Sequence, residues 1–194
     1  MFDDINLHNP DIAVDCRLLT ASVQVYDQLR SIGLEKMYAY GILYKKTPLM
    51  YDFIKIGQSC PNPGENTEKA VGERIKRQLE HVPGWNDPPH YSSHGMDFWM
   101  NVQREIVNKN LPNITKNSLT FAIWNLDARR NKVSVFTRKE NDIPLWVEGE
   151  LARQYKSMNF GKLPILNIQD PTKNDAYRSC NVSITHFNKN FSYK

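Results

Sequence analysis

Cysteine is scarce and shows no pairing pattern: the 194-residue chain has three, Cys16, Cys60 and Cys180, and no C-x-x-C. This argues against a disulfide framework or a zinc site and fits a reducing cytoplasm. Long apolar runs are missing too, and none approaches the roughly 20 residues that span a bilayer. The N-terminus, Met-Phe-Asp-Asp, is acidic and lacks the apolar stretch of a signal peptide. No segment repeats. Charge is nearly balanced, with 25 basic against 21 acidic residues and a net +4. Such a balance suits a polyanionic partner without marking one. What is present is a hydrophobic fraction of 40%, enough for a packed core in one domain of ordinary size.

Residues 1–16 are polar and irregular, and Arg17–Leu29 has a helical period that Gly33 can stop. Met37–Tyr44 and Tyr51–Ile56 read as two strands, rich in Tyr, Ile and Leu, around a Lys45–Pro48 turn. Residues 58–67 are loop by composition. Glu68–Val82 is expected to be a helix, with Ile75, Leu79 and Val82 on one face and Arg74, Arg77 and His81 on a separate flank. Residues 86–95 form a polar loop, Phe98–Val107 a helix, Leu119–Leu126 a strand and Val133–Thr137 a short further strand. A helix over Pro144–Tyr155 follows, capped by Asp142 or Asn141 and ended before Gly161. Residues 162–167 are extended. The resulting division is a helical extension over 1–35, a core over 36–168 with an insert near 83–117, and a polar tail over 169–194.

Glu148 is the first residue with chemical interest. At 100° per residue it falls among Leu145, Leu151, Ala152 and Tyr155, whereas Glu150 points toward water. A carboxylate on a core-facing stripe needs a cationic partner or a hard divalent metal ion. Lys55 lies between Ile54 and Ile56. Either the isoleucines enter the core and Lys55 is solvated, or Lys55 shares an active face with the strand tyrosines. Arg77 and His81, one turn apart, either grip a phosphate or form a solvated basic face.

In order, these residues resemble the GIY-YIG nuclease superfamily over roughly residues 37–167. The likeness rests on Gly41-Ile42 in a Tyr-rich strand, Lys55-Ile56-Gly57-Gln58-Ser59, the arginine helix, Glu148-x-x-Leu151 and Pro164-x-x-Asn167. Leu43 stands where the first motif has tyrosine. Lys55 replaces the second motif's tyrosine, as in some restriction-enzyme and phage branches. The resemblance implies an α+β fold with a small, mainly antiparallel three-stranded sheet flanked by helices. It also implies site roles. A first-strand tyrosine, Tyr44 by its distance from Lys55-Ile-Gly or Tyr40 on the same face, would act as general base or its relay. Lys55 would lower that tyrosine's pKa or hold the phosphate. Arg77, followed by His81, or in its place Arg74, would stabilise the phosphorane. Glu148 would bind Mg²⁺ or Mn²⁺, and Asn167 would hold the site together or contact phosphate.

The implied activity is metal-dependent cleavage of DNA, as a restriction, phage, mobile-element or repair nuclease. The alternative is a non-catalytic nucleic-acid-binding module on the same fold. Phosphodiester hydrolysis requires an activated water, stabilised negative charge and help for the leaving oxygen. A tyrosine with a pKa near 10 needs neighbouring cations to serve as the base. Lys45, Lys46, Gln58, Ser59 and Arg104 are the expected DNA contacts. Cleaving both strands calls for a homodimer or for sequential nicks.

Overall fold

A computed structural model of the chain describes residues 5–16, 37–47, 50–59, 93–112, 114–126, 142–175 and 177–178. The helices expected over 17–29 and 68–82, with Arg74, Arg77 and His81, and the strand expected over 133–137 lie outside these residues.

Tyrosine, β-branched and aromatic residues at alternating positions build the strands. β1 is Ile12–Asp15, β2 Tyr38–Thr47, β3 Met50–Ser59 and β4 Leu119–Asn125. They form one antiparallel sheet in the order β1-β4-β2-β3. The α+β class and the antiparallel sheet agree with the sequence reading, but the described sheet has four strands rather than three. The extra strand comes from the N-terminal stretch read as irregular. Its polar composition hides Ile5 and Leu7, both buried. Their backbone is held by one side-chain amide: Gln154 Nε2 donates to Ile5 O at 2.8 Å, and Leu7 N donates to Gln154 Oε1 at 2.9 Å. The hairpin strands are also longer than expected, reaching to the Thr47–Met50 pair.

Among the described residues two α-helices flank the sheet, α1 over Ser93–Val107 and α2 over Asp142–Met158. α1 begins within the stretch expected to be loop. Its Trp99, Val102 and Ile106 recur at helical spacing and pack on one side of the sheet, against Tyr38, Tyr40, Ile42, Tyr44, Ile54, Phe121 and Ile123. On the other side α2 sets Ile143, Trp146, Val147, Leu151 and Tyr155 against Ala39, Phe53, Ile56, Ala122 and Trp124. α2 ends where Phe160 and Gly161 take left-handed backbone angles (φ 52° and 79°) and Gly161 N donates to Lys156 O at 2.8 Å.

The stretch read as a polar tail contributes to this second layer. A 3-10 turn over Pro171–Lys173 is tied to α2 through Lys156 Nζ to Asp170 Oδ2 at 2.8 Å. The Tyr177 ring stacks on Trp146, with centroids 6.4 Å apart. Gly149 makes room for that ring, because a Cβ there would strike it. None of the described helices is long and apolar enough to cross a membrane.

Candidate functional site

One irregularity splits the two isoleucines beside Lys55 between the faces of the sheet. Across the β2–β3 ladder Ile42 pairs with Lys55, but the next pair is Leu43 with Phe53. Ile54 is the extra residue, a β-bulge. Strict alternation would set Ile54 and Ile56 on the same side of the sheet. With the bulge, Ile54 enters the core on the α1 side and Ile56 the core on the α2 side. Lys55 lies directly opposite Ile42, whose face also carries Tyr40 and Tyr44. Both isoleucines enter the core, as one reading of Lys55 expects, and the register also sets Lys55 on the face of the tyrosines. Its side chain is half-buried.

The two tyrosines differ. The Tyr40 ring stacks on Phe121 at 5.2 Å and runs across Gly57. A Cβ at position 57 would lie 2.5 Å from the Tyr40 Cζ and Oη. Only glycine admits the phenol there. Tyr40 pairs with Gly57, so on this face it is diagonal to Lys55, within reach of a long side chain. Tyr44 lies nearer the hairpin tip, and its hydroxyl donates to the Pro112 carbonyl beyond α1. Burial raises its pKa, and the Lys46 charge opposes this only in part. A phenol that donates to a carbonyl and is harder to ionise than usual is poorly set up as a base. Sequence spacing favoured Tyr44, whereas packing sets Tyr40 against the glycine of Lys55-Ile-Gly.

Asn167 is fastened to the residue after Lys55. Its Oδ1 accepts from Ile56 N and its Nδ2 donates to Ile56 O, both at 2.8 Å. Leu166 N donates to Ile54 O at 2.8 Å. β3 is the edge strand on this side, so residues 166–167 satisfy backbone groups that an open edge would leave exposed. Lys55 is thus bracketed on its own strand by two tethered neighbours. Each such bond adds about 0.5–1.5 kcal/mol net.

Glu148 is half-buried on α2. Its neighbours Leu151, Ala152 and Tyr155 are buried as the spacing predicts, but Leu145 is only half-buried and the deepest positions include Trp146 and Val147. The helix is covered twice, by the sheet and by Tyr177, so no single stripe describes its burial. Glu150 departs from its expected place in water. Its side chain is 13% exposed, bonded to Arg153 at 2.6 Å and to the Tyr177 hydroxyl at 3.2 Å. The returning C-terminal segment encloses it. α2 packs on the side of the sheet opposite Tyr40 and Tyr44, so Glu148 is carried on the layer opposite the tyrosine face. Among the described residues no three His, Cys, Asp or Glu side chains converge as a metal site.

The two sides meet at the hairpin tip. Tyr155 Oη donates to Asp52 Oδ1 at 3.0 Å, and Lys46 Nζ donates to Asp52 Oδ2 at 2.7 Å. Burial, then the Asp52 charge, pushes the Tyr155 pKa well above the usual tyrosine value. Lys46, expected to face DNA, therefore already has an acidic partner. Lys45 lies over the Tyr51 ring, 5.6 Å from its centroid. The other expected DNA contacts are dispersed. Arg104 is 59% exposed on α1 and bonds Glu105 at 3.2 Å. Ser59 is half-buried at the far end of β3. Gln58 pairs with Ala39 on the α2 side, and its Oε1 is buried, with no hydrogen-bond partner among the described residues.

Asp52, Tyr51 and Tyr155 were not among the expected site residues. Opposite charges at 46 and 52, across a hairpin, were an available signal for the first. Nothing local announces that Tyr155 reaches it. Comparison of the chain with protein families, with curated proteins and with solved structures finds no match.

Proposed function

We propose that the chain is a DNA endonuclease that hydrolyses phosphodiester bonds with the help of Mg²⁺ or Mn²⁺. The observation that carries this reading is the regular register from Tyr38–Ser59 to Ile42–Lys55, which groups Lys55 with Tyr40 while Asn167 fastens the backbone beside them. Tyr40 and Lys55 come from the two strands of one hairpin and Asn167 from a distant stretch, and all three adjoin the inner half of β3. Lys55 supplies a positive charge that favours the tyrosine anion or holds the scissile phosphate. Tyr40, buried over the Gly57 that follows Lys55 by two, acts as base or relay to the attacking water. Asn167 keeps β3 from shifting against the sheet. Arg77, followed by His81, or Arg74 in its place, stabilises the charge that develops on phosphorus.

A donor set of one carboxylate fits a hard ion that keeps water and phosphate oxygens in its octahedron. Glu148 is the residue that would hold it, from the α2 layer. When bound, the ion would polarise the phosphate and stabilise the departing oxygen. Double-strand cleavage would proceed through a homodimer or through sequential nicks.

The test is nicking of supercoiled plasmid DNA with Mg²⁺ or Mn²⁺. Wild type is expected to nick, and Lys55→Ala and Glu148→Ala each to lose about a hundredfold or more. Tyr40→Phe should lose far more than Tyr44→Phe. A wild-type protein that binds DNA but cuts none with either metal sinks the enzyme reading. The second reading, a nucleic-acid-binding module without catalysis, then stands. It is favoured by the Tyr44 hydroxyl being committed to Pro112 and by α2, with Glu148, packing on the opposite side from Tyr40.

A further inference from the structure

We propose that the tip of the β2–β3 hairpin binds unpaired nucleotides of a nucleic-acid strand, with Tyr51 as the stacking surface and Asp52 as a built-in competitor for the phosphate-binding charge of Lys46. This rests on the nucleic-acid reading above and narrows its substrate class to DNA with exposed, unstacked bases.

Tyr51 is 47% exposed and the adjacent Met50 50% exposed, at a position where a strand surface ordinarily carries polar residues. Lys45 is the direct cross-strand partner of Tyr51, and its ammonium group lies over the ring at 5.6 Å. An aromatic ring with a cation over one face offers its other face to a base and positive charge to the adjoining phosphate. This is the combination used to hold single strands without sequence preference. Bases inside a duplex are already stacked on both faces, so such a ring selects unpaired ones.

Lys46 is adjacent in sequence but differently employed. Asp52 engages its ammonium at 2.7 Å and is itself held by the Tyr155 hydroxyl at 3.0 Å. A phosphate arriving at Lys46 must therefore compete with a carboxylate anchored to α2. Strands that bring both a base for Tyr51 and a phosphate for Lys45 bind in spite of this. A ligand that offers phosphate alone meets a tip whose second lysine is already engaged.

The experiment is fluorescence anisotropy of the full chain with a labelled oligothymidylate and with a blunt duplex of equal length, across a salt series. Tyr51→Ala is expected to weaken oligothymidylate binding about tenfold while leaving the duplex within about twofold, and Tyr51→Phe to restore it. Lys45→Ala should reduce the slope of log affinity against log salt by about 0.7 on the single strand. Asp52→Asn, which releases Lys46, should steepen the slope by a similar amount. The proposal is overturned if Tyr51→Ala leaves oligothymidylate binding unchanged or weakens both ligands equally. It is also overturned if Tyr51→Ala converts a dimer to a monomer on gel filtration with DNA affinity intact, since the tip is then a contact between copies. Plasmid nicking by the same preparations separates the two proposals. Nicking without a Tyr51 effect on binding removes this one alone, and Tyr51-dependent binding without nicking removes only the nuclease reading.

Discussion

The two ends of one hairpin are built on opposite principles. At the inner end, where Tyr38–Tyr40 face Gly57–Ser59, an aromatic ring fills the space left by a missing side chain, and the backbone nearby is fastened by Asn167. At the tip, where Lys45–Thr47 face Met50–Asp52, charges offset each other and large apolar side chains are left in water. The inner end is determined by packing, in which a displacement of an ångström is costly. The tip is held by polar contacts that solvent and salt weaken. A rigid end suits the precise positioning of reacting groups, and an adaptable end suits the capture of a strand of variable shape.

The sharpest way to break this comparison is at Gly57. Gly57→Val should destabilise the fold by about 3 kcal/mol, because its side chain must displace the Tyr40 ring. Combining it with Tyr40→Ala should cost less than the sum of the two changes. Urea unfolding of the single and double variants measures this, and strict additivity would refute the contact.

Asn167→Ala comes next. Losing both bonds to Ile56 should cost about 2 kcal/mol. Amide exchange at Ile56 should quicken while Ile42, inside the ladder, stays protected. Equal acceleration at both positions would mean that the clamp acts on the whole sheet.

Tyr155→Phe should cost about 1 kcal/mol at neutral pH by removing the bond to Asp52. The pH dependence has a definite sign. Burial raises the pKa of Tyr155 above the unfolded value of about 10, so the folded state keeps this proton longer. Stability from this group is complete below about pH 10 and is lost as pH rises toward the folded value. Alkaline denaturation curves of the variant should therefore be shallower than those of wild type.

The smallest effect belongs to Lys46→Ala. Its pair with Asp52 joins two half-exposed side chains, so stability should change by less than about 0.5 kcal/mol, and the change should vanish at high salt. A larger, salt-insensitive loss would show that the tip is as rigid as the inner end.

Much of the hairpin was legible because its signals are local. Tyrosine and isoleucine at alternating positions mark β2, and the helical period with an early Pro144 marks α2. Strand β1 was not legible, since Ile12–Asp15 is too short to carry a pattern and is held mainly by pairing with β4. The return of Tyr177 onto α2 was equally hidden. A lone tyrosine in a polar tail gives no sign of its partner, and the seat it needs, Gly149, is 28 positions earlier in the chain.

The sequence by itself determined β2, β3, β4, most of α1 and α2, and the pairing of the two hairpin strands. These follow from side-chain periodicity and from the backbone limits of glycine and proline, which act over a few residues. The tertiary structure alone decided that Ile54 is extra, that Lys55 shares the tyrosine face, that Tyr40 rather than Tyr44 packs over Gly57, and that Glu148 is carried on the opposite layer. Each of these depends on which distant backbone a residue pairs with. A shift of one position in a strand reverses its faces, and no local property of the chain records that shift.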